Sequence, residues 1–214
     1  MKTENTVSYR VINPGKDKVI FFFGGIKSPY TKFANIYKAV QPSFTGVYFD
    51  TPLGGWNVSH LDTVERIILQ LKYEQALAVG ISSGACFSLT LASRGLLDRV
   101  FSVAGSLYKG FQPLKQNRIF MLNGFKDQSV PIQGGYIHKM NLLAVKETFN
   151  LFLKPEKSSL EMHYPNTTLD SNESGTKKLI VVGDASHNVW GIYNKKLGKD
   201  NNLINLSIQF LCQV

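Results

Sequence analysis

Two cysteines, Cys86 and Cys212, are all that 214 residues contain, so a disulfide framework is excluded as the basis of the fold. Long hydrophobic runs are also missing. The longest strongly apolar run, Val19 to Phe23, stops at Gly24-Gly25, far short of the roughly 20 residues that cross a bilayer. Stable membrane insertion is therefore not expected. The opening Met1-Lys2-Thr3-Glu4-Asn5 lacks the apolar stretch of a secretory leader, and with the cysteine usage this makes a cytoplasmic location the expectation. There is no internal repeat, no low-complexity tract and no separate lid domain. Acidic residues are the scarcer charge, 15 against 24 Lys and Arg, giving a net charge of +9. That excess does not point to nucleic acid. Basic residues number 11 before Tyr108 and 13 from Lys109 onward, and the densest pairs, Lys177-Lys178 and Lys195-Lys196, are too short to form a binding stripe.

What is present is an ordinary globular composition, 43% hydrophobic and 18% charged, long enough for one domain over residues 1–214 with a full core. Short apolar strands alternate with longer amphipathic stretches, which predicts an α/β fold with helices on both faces of a sheet. Thr6 to Ile12 alternates as an edge strand, Val19 to Phe23 reads as a buried strand, and Gly46 to Phe49 follows. Gln75 to Val79, Val100 to Val103, Arg118 to Leu122 and Lys178 to Val182 complete the strands. Asp62 to Tyr73, Ala85 to Ser93, Tyr136 to Leu153 and Leu203 to Cys212 have helical character, and Pro155 to Gly175 reads as a polar surface loop.

The most informative stretch is Leu77-Ala78-Val79-Gly80-Ile81-Ser82-Ser83-Gly84-Ala85. An apolar strand runs into G-x-S-x-G and leaves as an apolar helix, the context in which this motif forms a nucleophile elbow. A Ser on that sharp turn has a strained backbone and projects its hydroxyl beyond the sheet edge. Gly80 and Gly84 flank it because strand and helix cross too closely for a Cβ. The helix N-terminus also points N–H groups at whatever Ser82 attacks.

A serine hydroxyl needs a base. Of the four histidines, His187 follows the last strand, at the sheet edge where Ser82 emerges; His60, His138 and His163 do not. Asp127, just past the strand Arg118 to Leu122, is the expected acid, giving the chain order Ser82, Asp127, His187. Asp184, three residues before His187, and Asp50, upstream of the serine, rank below it. An oxyanion hole is expected from the Ser83 N–H and from Gly25 or Ile26 in the loop after Val19 to Phe23, the sequence not deciding between the last two. Trp190 and Trp56 are candidates to line the substrate pocket, with core packing the equal alternative for each.

With these residues placed, the chain resembles the α/β-hydrolase superfamily over nearly its full length. The closest likeness is to the polyhydroxybutyrate-depolymerase-like group that includes feruloyl and acetylxylan esterases. It rests on Gly80 to Ala85, the Val103-Ala104-Gly105 strand end, Asn123-Gly124-Phe125-Lys126-Asp127-Gln128-Ser129-Val130-Pro131, and His187-Asn188-Val189-Trp190 with Tyr193. The G-x-x-D-x-x-V-P and H-x-x-W segments of such families carry the triad acid and base, here Asp127 and His187. The resemblance implies a mostly parallel central sheet, minimal or no lid, and hydrolysis of carboxylic esters without cofactor or metal. Two departures stand out: Phe23-Gly24-Gly25 replaces the usual His-Gly, and Ser186 precedes the base where Gly is common. The chain carries no polymer-binding module, so a compact esterase on small or medium esters is expected over a polymer depolymerase. The alternatives are an acyltransferase, thioesterase or small peptidase on the same triad, or a catalytically silent hydrolase fold that acts by binding.

Overall fold

Because parallel strands are buried on both faces, continuous apolar runs such as Val19 to Phe23 belong at the centre of a covered sheet, and that is where they lie. The computed structural model describes residues 7–28, 33–114, 117–137, 139–164, 167–189 and 203–212. Its nine-stranded sheet contains β1 (Tyr9–Ile12), β2 (Lys18–Phe23), β3 (Thr45–Phe49), β4 (Gln75–Ile81), β5 (Arg99–Val103) and β6 (Arg118–Gly124). A separate two-stranded hairpin is made by β7 (Gly135–Ile137) and β8 (Met140–Leu142). The large sheet is completed by β9 (Ser158–Tyr164), β10 (Thr167–Asn172) and β11 (Lys177–Val182). Strand order is β1-β3-β2-β4-β5-β6-β11-β10-β9. From β3 to β11 every pairing is parallel, whereas β1 at one end and β10 and β9 at the other pair antiparallel.

The helices are α1 (Ala34–Val40), α2 (Leu61–Gln70), α3 (Ser83–Ser93), α4 (Val145–Leu153) and α5 (Leu203–Cys212). Alternate residues of β2 serve opposite layers. Phe21 and Phe23 pack with Val64 and Ile68 of α2, Phe87 of α3 and Phe149 of α4. Ile20 and Phe22 pack with Ile36 and Val40 of α1 and Phe210 of α5. Each such fully buried side chain contributes about 1.5–3 kcal/mol relative to exposure. Arg99 ties α5 to the sheet by donating to the Leu211 carbonyl at 3.0 Å, which satisfies an end of the helix. No helix among the described residues is long and apolar enough to cross a membrane.

Two expected elements are corrected. Tyr136 to Leu153 is not one long helix: its first part is the β7–β8 hairpin, and only Val145–Leu153 is helical. Positive φ at Gly134 (72°), Gly135 (121°) and Lys139 (67°) breaks any helix there. The polar stretch from Pro155 to Gly175 is not a loop but largely the antiparallel pair β9–β10, which widens the sheet. Its strands hold through two contacts distant in sequence, Lys146 Nζ with Asp170 Oδ2 at 2.6 Å and the buried Lys177 with Glu156, and through a local one, the Asn172 side chain accepting from the Lys177 N–H at 2.9 Å. Helix α1 has no counterpart among the expected elements.

Candidate active site

Strand β4 ends at Ile81, and Ser82 takes φ 58° and ψ −126°, a backbone conformation that L-residues rarely adopt, before α3 begins at Ser83. Hydrogen bonds hold it there: the Ser82 N–H donates to the Val103 carbonyl at 2.9 Å, and its own carbonyl accepts from Ala85 and Cys86 at 2.9 and 3.1 Å. The flanking glycines show why the motif needs them. A Cβ on Gly80 would stand 2.6 Å from the Ala85 Cα, and one on Gly84 only 2.1 Å from the Phe23 carbonyl oxygen. The start of α3 is thereby seated directly on the end of β2.

Asp127 and His187 arrive from the loops after β6 and β11, neighbouring parallel strands whose C-terminal ends share one edge. The two loops are joined by backbone bonds, Phe125 N–H to Val182 carbonyl at 3.0 Å and Lys126 N–H to Ala185 carbonyl at 2.9 Å. The Asp127 side chain is fully buried; its Oδ1 accepts from the Ser129 and Val130 amides at 2.8 and 2.9 Å. Its Oδ2 lies 2.8 Å from His187 Nδ1, and His187 Nε2 lies 2.8 Å from Ser82 Oγ. With Asp127 ionised, Nδ1 donates to the carboxylate and Nε2 is left to accept the serine proton, the arrangement that general-base activation requires.

The loop after β2 borders the serine. A Cβ on Gly25 would lie 2.9 Å from the Ser82 Cβ, so the Gly25 backbone runs along the face of the elbow. Gly25 is buried and Ile26 exposed, and the Gly25 carbonyl accepts from Ser28 N–H at 3.0 Å to close a turn. Ser83 is buried as the first residue of α3, where helix geometry leaves N–H groups without intrahelical partners. On the far side of Gly24, a small cavity opens among Phe22, Phe33, Tyr48, Phe49 and Thr51.

Other candidates sit elsewhere. Trp56 is 1% exposed and stacks on Phe87 with ring centroids 4.6 Å apart, so it is a core residue. Trp190, with Tyr193 and His138, lies outside the described residues. His60 is buried against Trp56 and accepts from the Asn57 N–H at 3.2 Å; His163 falls on β9. Asp50 accepts from Ser8 Oγ at 2.7 Å, and Asp184 is exposed. Burial pushes the Cys86 thiol up to about 12, which keeps it from competing as a nucleophile.

Sequence reasoning missed the polar support beneath the elbow. Ser106 Oγ donates to the Leu143 carbonyl at 2.7 Å and meets Thr148 Oγ1 at 2.7 Å, while the Leu107 N–H donates to Thr148 Oγ1 at 3.1 Å. The interruption of the α4 apolar stripe by Thr148 was the available signal. Asn123, fully buried, donates to the Gly105 carbonyl at 3.0 Å and so ties the end of β6 to the loop after β5.

No protein-family model and no curated protein matches the chain. Among solved structures it is similar to esterase PE8, with a TM-score of 0.62 at 11% identity over 97% of this chain and 98% of that one. It is also similar to an alpha-beta serine hydrolase homologue from Coxiella burnetii, with a TM-score of 0.54 at 17% identity over 96% and 92%. A third is XC6422 from Xanthomonas campestris, described as an a/b serine hydrolase without lid, with a TM-score of 0.52 at 14% identity over 95% and 86%. At these identities the likeness establishes the fold: the chain has the α/β-hydrolase fold, with a mostly parallel sheet, and no lid is evident among the described residues.

Proposed function

We propose that the chain is a serine hydrolase that cleaves carboxylic esters through an acyl-enzyme. The observation that carries this reading is the continuous chain from buried Asp127 through His187 to Ser82 Oγ, with both links at 2.8 Å and the serine on a strained turn. Ser82 Oγ attacks the ester carbonyl while His187 Nε2 takes its proton. The negative oxygen of the tetrahedral intermediate is held by the Ser83 N–H and by an N–H of Gly25 or Ile26, each donor worth roughly 3–4 kcal/mol. Collapse breaks the bond to the alcohol, which leaves with the proton from His187. Water then attacks the acyl group, with His187 again taking the proton and returning it to Ser82. The sequence needs no metal or cofactor, and its substrate is a small-molecule ester.

Esters rather than other acyl compounds are supported by the names of the similar folds, an esterase among them. The finer likeness to the polyhydroxybutyrate-depolymerase-like group rests on the Asn123 to Pro131 and His187 segments. Hydrolysis of p-nitrophenyl acetate by the purified chain, compared with Ser82→Ala, tests the reading. Turnover that disappears in the variant, with thermal unfolding still cooperative, is expected. Equal turnover in both proteins contradicts it.

A further inference from the structure

The sheet edge that carries Ser82 also carries apolar side chains left in water. Ile26 follows β2 and is 44% exposed; Leu53 follows β3 and is fully exposed; Phe125 follows β6 and is 60% exposed. Exposed hydrophobics scattered singly need no explanation, but these come from three loops that parallel pairing brings to one edge. They also connect to the candidate site. A Cβ on Gly55 would meet Ile26 Cγ1 at 2.8 Å and Ser83 Oγ at 3.0 Å, so the turn bearing Leu53 rests on Ile26 and on the first residue of α3. That turn is closed by the Gly55 N–H donating to the Pro52 carbonyl at 2.8 Å, which lifts Leu53 to its tip. Phe125 stands two residues before Asp127, in the loop bonded to the His187 segment. Ser82 thus lies between Ile26 and Leu53 on one side and Phe125 on the other.

Charge along the same edge is mixed. Lys27 and Lys126 are exposed beside Ile26 and Phe125, and Asp50 and Asp184 are exposed near the ends of β3 and β11. Among the described residues of this edge neither sign prevails, so these residues give no electrostatic preference for a charged substrate, and the apolar side chains are their distinguishing chemistry.

We propose that this rim receives the aliphatic chain of the substrate, making the preferred substrates uncharged esters with a chain of about six to twelve carbons rather than acetates of short alcohols; buried methylenes supply the preference. The inference rests on the serine hydrolase reading of the same site. With no lid evident among the described residues, the aliphatic chain lies across Ile26, Leu53 and Phe125.

The test uses two ester series on the full chain, p-nitrophenyl esters of acetate to dodecanoate and acetates of ethanol to dodecanol. These separate an acyl chain from an alkyl chain as the occupant. At least one series is expected to show kcat/KM rising tenfold or more between two and eight carbons. Leu53→Ser and Phe125→Ser, both at exposed positions, are each expected to lower the eight-carbon value about threefold to tenfold, mostly through KM, so that the ratio of eight-carbon to two-carbon kcat/KM falls in the series that shows the rise. A flat or falling profile in both series, or eight-carbon values untouched by both variants, overturns the rim assignment. Fluorophosphonate labelling of Ser82 run alongside separates the two levels: labelling with a flat profile removes the rim assignment alone, whereas no labelling removes the serine hydrolase reading and the rim assignment with it.

Discussion

Asp127 Oδ2 lies 2.8 Å from His187 Nδ1, while the other oxygen of the same carboxylate is held by the Ser129 and Val130 amides. The carboxylate is therefore fixed before it meets the imidazole, and its buried charge is matched by three donors. Such a pair sets which ring nitrogen carries the proton. Asp127→Asn keeps the size and can still accept from the two amides, but it no longer dictates that Nδ1 donate. We expect kcat on p-nitrophenyl acetate to fall by about 10³–10⁴ with thermal unfolding little changed, checked by steady-state kinetics beside a thermal melt.

Ser82 has a backbone conformation that costs on the order of 1–3 kcal/mol for a residue with a Cβ. Ser82→Gly releases that strain, offset by the entropy of glycine in the unfolded chain and by loss of the hydrogen bond to His187. A net gain of about 1 kcal/mol is expected, raising Tm by roughly 2–4 °C while abolishing turnover. A lower Tm would show that the strain released is smaller than the glycine and hydrogen-bond losses combined.

The glycines around the elbow separate fold from activity. Gly84→Ala forces a methyl group to 2.1 Å from a backbone carbonyl, which requires β2 and α3 to part, and about 1–3 kcal/mol of stability is expected to be lost. Gly25→Ala meets the Ser82 Cβ at 2.9 Å in the loop expected to supply an oxyanion donor. Its stability loss should be smaller than that of Gly84→Ala, whose clash is closer, while kcat falls roughly 10²-fold or more. Denaturant midpoints and kcat measured on the pair check the contrast.

Burial pushes the His60 pKa below its ordinary value, so the folded chain resists protonation there more than the unfolded chain does. The unfolded state then binds more protons, and stability is full above the ordinary histidine pKa of about 6.5 and falls as pH drops toward the folded value. His60→Gln keeps an acceptor for the Asn57 N–H, as at the third position of a capping box, but does not titrate. Urea midpoints between pH 7.5 and 5 should decline less steeply in this variant than in the parent chain.

Much of this arrangement is legible in the chain because its cues are local. The elbow is marked by Gly80 and Gly84 against an apolar strand, and the strand ends preceding Asp127 and His187 are marked by Asn123-Gly124 and Gly183-Asp184. The β9–β10 hairpin is not legible: its polar stretch is satisfied by partners far away in sequence, Asp170 by Lys146 and Glu156 by Lys177. In Tyr136 to Leu143 an apolar spacing that suits a helix is overruled by left-handed residues at Gly134, Gly135 and Lys139. The place of Trp56 depends on the Phe23, Phe49 and Phe87 rings that surround it, which come from three separate elements.

The central claim is that Ser82 is a nucleophile activated by His187. Reaction of the folded chain with a fluorophosphonate, followed by peptide mass mapping, tests it most directly. One adduct on Ser82 is predicted, absent in Ser82→Ala and at least 10²-fold slower to form in His187→Ala. No adduct on Ser82 in the folded chain, or a rate unchanged by His187→Ala, would contradict the account.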